Sequence, residues 1–212
     1  MPLVALISGE GTNLQAIIEV ALSGRIPARI EAVISDRRGA PGLERARWRG
    51  LETRVLTAAA FGTREEYDAA LARLIDGFSP RLIVLAGFMR LLSPNFIAHF
   101  RGRILNIHPS LLPQYRGLDT HSRVLEAGER IHGASVHFVT EGMDEGPLVM
   151  QAEVPVLDGD DPVTLARRVL ACEHVIYPRV IGWFAQGRLE MKDGDAWLDG
   201  KRLDQPVILS KT

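Results

Sequence analysis

The sequence predicts a doubly wound α/β fold, a mostly parallel sheet flanked by helices, with antiparallel strands in the C-terminal half. Three observations carry that prediction. Short apolar runs alternate with segments of helical spacing through the first half of the chain. One run, Leu82-Ile83-Val84-Leu85-Ala86-Gly87, is apolar on both faces, as a strand covered by helices on either side must be. Glycine or polar clusters follow three of the runs, at Gly9 to Asn13, Gly87 to Leu92 and Asn106 to His108. Sheets of this kind bind ligands beyond the C-terminal ends of their strands.

Val4 to Ile7 is an apolar run that ends in Ser8-Gly9-Glu10-Gly11-Thr12-Asn13, after which Leu14, Ile17, Ile18 and Ala21 recur at helical spacing. This is a strand, a glycine-rich loop and a helix. Ile30 to Ile34 is the second strand, Gly42 to Arg49 a short helix and Thr53 to Leu56 the third strand. Thr63 and Glu66 have the spacing of a capping box and open a helix through Ile75. Leu82 to Gly87 is the fourth strand. Ser93 and Pro94 start another short helix, serine as the cap and proline in the first turn. Arg103 to His108 is the fifth strand. Beyond Gly117 the pattern changes: Thr120 to Ala127 is helical, and Gly133 to Val139 and Leu148 to Val154 alternate like antiparallel strands joined by Thr140 to Pro147. Asp161-Pro162 caps a helix to about Tyr177, with Leu165, Val169, Cys172 and Ile176 as its core stripe. Arg188 to Lys201 forms a small hairpin around Asp193-Gly194-Asp195. No repeat, low-complexity tract or linker interrupts the chain. A single domain over residues 1–212 is expected, with an N-terminal half of about 1–108 and a C-terminal half of about 109–212.

Composition narrows the function classes. With 212 residues and 46% hydrophobic residues the chain can bury one sizeable core. Its 25 Lys and Arg against 26 Asp and Glu leave no basic excess for a nucleic-acid partner. Cys172 is the one cysteine, so neither an intramolecular disulfide nor a thiolate zinc site is available, and a reducing compartment is expected. The N-terminal apolar run lacks a basic start and is too short for a signal peptide, and no stretch has the length to span a bilayer. A cytoplasmic protein without membrane or metal partners is the expectation.

Asn106-Ile107-His108-Pro109 is the most informative stretch. Side chains alternate along a strand, so Asn106 and His108 share a face at its end, where an amide and an imidazole can donate hydrogen bonds to an oxyanion and manage a proton. The plainer reading is a polar strand end closed by proline. The loop at Gly9 nearly matches a dinucleotide fingerprint. Gly9 and Gly11 fit, Asp36 stands where a ribose-binding acid would lie, but the third glycine is Leu14. A single phosphate on the helix N-terminus, with donors from Gly11, Thr12 and Asn13, competes with a plain glycine turn. Asp144 lies in a loop; it is either solvated or, if the loop folds over the strand end, a partner that favours the imidazolium of His108. His137 shares a strand face with Ser135 and is a candidate donor behind the site, whereas His99, His121, His132 and His174 read as structural or solvated. Glu173 by itself reads as an exposed helix charge. Arg64 sits unfavourably in a first helical turn, and Met89, Leu91 and Leu92 read as exposed-loop apolar residues that line a flat aromatic ligand, the plainer reading being ordinary packing beneath a loop.

Together these residues resemble a known family. The segments I-S-G-x-G-T-N at Ile7 to Asn13, L-A-G-F-M-R at Leu85 to Arg90, N-I-H-P-S-L-L-P at Asn106 to Pro113, G-x-S-V-H-F-V at Gly133 to Val139, the Asp144 loop and E-H-x-I-Y-P at Glu173 to Pro178 are similar to the folate-dependent phosphoribosylglycinamide formyltransferases of purine synthesis. The likeness runs over nearly the whole chain. It implies the formyltransferase fold, with a Rossmann-like N-terminal half. It implies 10-formyltetrahydrofolate as co-substrate, glycinamide ribonucleotide as acceptor, no metal, and a monomer or homodimer. It implies that Gly11, Thr12, Asn13, Gly87 and Glu173 bind the ribonucleotide. Arg64, Met89, Arg90, Leu91, Leu92 and Asn106, with the loop Val139, Thr140, Glu141, Gly142, Met143 and Asp144, would hold the folate. Asn106, protonated His108 and Asp144 would be the catalytic trio. Arg116 and Asp119 depart from the family pattern, and Tyr115-Arg116-Gly117 looks more like transfer-RNA formyltransferases. A formyltetrahydrofolate hydrolase, an enzyme with another amine acceptor, and a non-catalytic folate or phosphoribosyl-binding module are the alternatives.

Overall fold

Strand β1 (Pro2–Ile7) is buried along nearly its whole length, and the two strands beside it are parallel to it. The computed structural model describes residues 1–209. Packing divides the chain into two compact units, Met1–Asn106 and Ile107 onward.

The first unit alternates strand and helix: β1, α1 (Thr12–Leu22), β2 (Arg29–Ser35), α2 (Pro41–Trp48), β3 (Thr53–Val55), a 3-10 turn (Ala58–Ala60), α3 (Arg64–Asp76), β4 (Leu82–Leu85), α4 (Pro94–His99) and the start of β5 (Ile104–His108). The strands lie in the order β5-β4-β1-β2-β3, every neighbouring pair parallel. The chain runs outward from β1 through β2 to β3, then returns to place β4 on the other side of β1. That reversal is the switch point, and sheets of this kind bind ligands beyond the C-terminal strand ends there. Leu3 to Ile7 and Leu82 to Val84 are fully buried, which accounts for their unbroken apolar runs. The caps are those expected. Glu66 N–H donates to Thr63 Oγ1 at 3.2 Å and Thr63 N–H to Glu66 Oε2 at 3.2 Å, while Ser93 caps α4 ahead of Pro94.

In the second unit α5 (Thr120–Glu126) precedes β6 (Ile131–Phe138) and β7 (Leu148–Pro155), an antiparallel pair. Helix α6 (Pro162–Ala185) packs on both of these strands. A small antiparallel sheet follows, β8 (Leu189–Lys192), β9 (Asp195–Leu198) and β10 (Lys201–Arg202), and β11 (Val207–Leu209) returns to pair parallel with β7. The expected class, mostly parallel with antiparallel strands late in the chain, is the one found. The end of α6 is a correction: it continues past Tyr177 through Pro178 to Ala185, because Ile176, Tyr177, Val180 and Ile181 prolong its buried stripe. That burial outweighs the hydrogen bond that proline removes. Among the described residues no helix is long and apolar enough to cross a membrane.

Candidate active site

In the first unit the glycine loop leaves β1 and enters α1 through Gly11, whose φ of 69° is in the left-handed region. A Cβ there would lie 2.7 Å from the Cα of Gly42, so glycine is required by conformation and by space. Gly42 N–H donates to the Gly9 carbonyl at 3.0 Å, fixing the N-terminus of α2 against the loop. Gly11 has no side chain to cap α1, and the helix begins with Thr12 and Asn13, its first N–H groups oriented for an anion. Leu14, at the third glycine position of the dinucleotide pattern, is a fully buried core residue.

The segment after β4 is held at both ends. Ser8 N–H donates to the Gly87 carbonyl at 3.0 Å, and Met89 N–H donates to Ser8 Oγ at 2.9 Å. At the far end Ser93 N–H donates to Asp68 Oδ2 at 2.5 Å, and the Arg90 guanidinium lies 4.7 Å from the centre of the Tyr67 ring. Burial, with Asp36 nearby, pushes the Tyr67 hydroxyl above its ordinary value. Phe88 and Leu92 point inward, whereas Met89 is 63% and Leu91 55% exposed. Arg64 begins α3 in solvent, 3.5 Å from Glu65.

Asn106 and His108 take the same face of β5, Asn106 half-buried and His108 buried. In the second unit Asp144 does come to His108: its Oδ2 is 3.4 Å from His108 Nδ1 and accepts the Gly117 N–H at 3.0 Å. Its other oxygen is 3.7 Å from His137 Nε2. His108 Nε2 faces the Tyr115 carbonyl at 3.0 Å. Tyr115 and Asp144 both have φ of 53°, a sparsely populated conformation for residues with a Cβ. His137 donates from Nδ1 to the Phe138 carbonyl at 2.8 Å, and burial pushes its pKa down against the pull of that carbonyl and of Asp144.

The strap after His108 is pinned from β6 and β7. Leu112 N–H donates to Ser135 Oγ at 3.0 Å, Ser135 Oγ–H to the Ser110 carbonyl at 2.7 Å, and Gln151 to the Leu112 carbonyl at 2.8 Å. The loop from Val139 to Asp144 follows β6, with Glu141 and Met143 outward and Gly142 half-buried. Gly146 closes it against the Phe138 carbonyl, where a Cβ would collide. Arg116 ion-pairs with Glu145 at 2.5 Å, so one departure from the family pattern ties the Tyr115 turn to this loop. Asp119 stands at the start of α5 with φ of 55°.

Two sequence readings are corrected. Glu173 is not an exposed helix charge: it is 6% exposed, on the buried stripe of α6 between Val169 and Ile176. Leu92 is buried, unlike Met89 and Leu91. His121 and His132 form a pair, Nδ1 to Nε2 at 3.0 Å, that no sequence spacing announces. The parts of Ser8 and Asp68 were also missed; Ser8 is a small polar residue inside a loop motif, and Asp68 resembles any helix acid. Among the described residues no three His, Cys, Asp or Glu side chains gather as metal ligands would.

Comparison with known proteins gives a consistent result. A family model described as formyl transferase matches residues 1–181. The phosphoribosylglycinamide formyltransferase of Escherichia coli K12 is 54% identical over 203 residues, 96% of each chain, and that of Haemophilus influenzae 47% identical over 95% of each. The structure of the phosphoribosylglycinamide formyltransferase of Coxiella burnetii superimposes with a TM-score of 0.95 at 48% identity, covering 99% of each chain.

Proposed function

Since the chain belongs to the formyl transferase family, we propose that it transfers the formyl group of 10-formyltetrahydrofolate to the amine of glycinamide ribonucleotide in purine biosynthesis. The observation that carries the chemistry is the Asp144 carboxylate on His108, at the end of the strand that bears Asn106. In this reading Gly11, Thr12 and Asn13 take the ribonucleotide phosphate on the N-terminus of α1. Gly87 and Glu173 contact the rest of the acceptor. Arg64, Met89 to Leu92 and Val139 to Asp144 hold the folate.

The acceptor amine attacks the formyl carbon, and the carbonyl electrons move to oxygen. The Asn106 amide and the protonated His108 ring donate to that oxyanion. Collapse of the tetrahedral intermediate breaks the bond to N10 of the folate. The proton lost by the attacking amine goes to N10, and no protein nucleophile is needed. Both His108 nitrogens already face oxygens, so the formyl oxygen must replace one of them. The Tyr115 carbonyl is the weaker holder, being neutral where Asp144 is charged.

The test is steady-state turnover of 10-formyltetrahydrofolate with and without glycinamide ribonucleotide, in wild type and His108→Ala. An acceptor-dependent rate that vanishes in the variant is the expected result. Folate turnover independent of acceptor would mean a hydrolase, and no turnover with both ligands bound would mean a binding module.

A further inference from the structure

We propose that Ser8 is a positioning residue that couples the first unit's share of the two substrate sites, so that ribonucleotide binding tightens folate binding. This deepens the functional reading above and rests on it. Ser8 is buried and stands between two backbones. Behind it in sequence is the Gly9 to Asn13 loop, which takes the phosphate in that reading. Beside it in space is the segment after β4, which takes the folate. Ser8 holds that segment with both its groups, N–H to the Gly87 carbonyl and Oγ from the Met89 N–H. The ladder between β1 and β4 is thereby carried one rung past both strands, and its last rung is a side chain.

The segment it holds is unusual. Phe88 and Leu92 anchor it inward, and between them Met89 and Leu91 stand in solvent. Two large apolar side chains so displayed are of use only if the backbone beneath them keeps its place. Ser8 fixes the near end, and Asp68 fixes the far end through the Ser93 N–H. An anion that orders the glycine loop orders Ser8, and Ser8 orders Met89. A folate that orders Met89 orders the loop in return, because coupling between two bound ligands is reciprocal. Asp68 touches only the far end and takes no part in the coupling.

The experiment is calorimetric titration of tetrahydrofolate, which has no formyl group to give, into the protein alone and into the protein saturated with glycinamide ribonucleotide. In wild type the ribonucleotide should tighten tetrahydrofolate by about fivefold or more, the lower end of ordinary coupling. Ser8→Ala should bind tetrahydrofolate more weakly and lose the tightening. Ser8→Thr, which restores the acceptor oxygen, should recover it. Asp68→Asn should weaken tetrahydrofolate yet keep the tightening factor. A merely structural defect at Ser8 would weaken both ligands and leave the factor intact. An undiminished factor in Ser8→Ala, or independent binding of the two ligands in wild type, overturns the coupling while leaving the functional reading standing. Failure of wild type to bind either ligand overturns both.

Discussion

Asp144 divides its oxygens among three groups, and the consequences of changing it separate accordingly. Asp144→Asn keeps an oxygen for the Gly117 N–H but removes the charge beside His108. Its kcat should fall on the order of 10²-fold, the low end for general acid–base groups, with the folate KM nearly unchanged. Asp144→Ala also leaves the Gly117 N–H unpartnered, and should raise the folate KM as well. Equal turnover of wild type and Asp144→Asn would exclude a role for the charge. Asn106→Ala removes the proposed oxyanion donor and should raise the barrier by about 3 kcal/mol, read from kcat at saturation of both substrates. At this scale the sequence is uneven. Asn106 and His108 were legible because two residues of one strand share a face. The reach of Asp144 was not, since it depends on how a loop folds back. Glu173 was misread because its charge was taken to exclude burial, although Leu165, Val169 and Ile176 mark its face by helical spacing; Cys172, placed on that stripe instead, is only half-buried.

Most elements of the first unit announce themselves, because caps and apolar runs are local. The late ones do not. Helix α6 runs through a proline that would ordinarily end it, and β10 and β11 are too short for any alternation to register. The glycine loop is where an element prediction is sharpest. Gly11→Ala adds a Cβ in a left-handed conformation and 2.7 Å from backbone of α2, so α1 and α2 must part. A loss of roughly 2 kcal/mol in urea unfolding is expected, together with a higher KM for the ribonucleotide than for the folate relative to wild type. Gly9→Ala meets nothing within 4 Å and should unfold like wild type.

The whole molecule carries its acid sensitivity in buried histidines. Burial lowers His132 from 6.5 to about 4, with neighbouring His121 adding to the effect, and burial lowers His121 and His137 as well. A histidine depressed in the folded state is neutral there while the unfolded chain still takes up protons, so stability is full above about pH 6.5 and drains as pH falls toward 4. For His132 the slope is about 1.4 kcal/mol per pH unit over that window. Urea unfolding at pH 7.5 and 5 should show the loss, and His132→Gln should flatten it; an equal loss in the variant would place the sensitivity elsewhere. The fold class was legible at this scale because one unit repeats strand and helix, whereas the histidine pair depends on two elements meeting. The two solvent-facing methionines of the predicted folate segments, Met89 and Met143, give the molecule a further exposure. Peroxide would turn each thioether into a polar sulfoxide just where a flat aromatic ligand needs an apolar seat. Oxidative damage should therefore strike the idle enzyme first, and a folate at rest in its site would act as the shield.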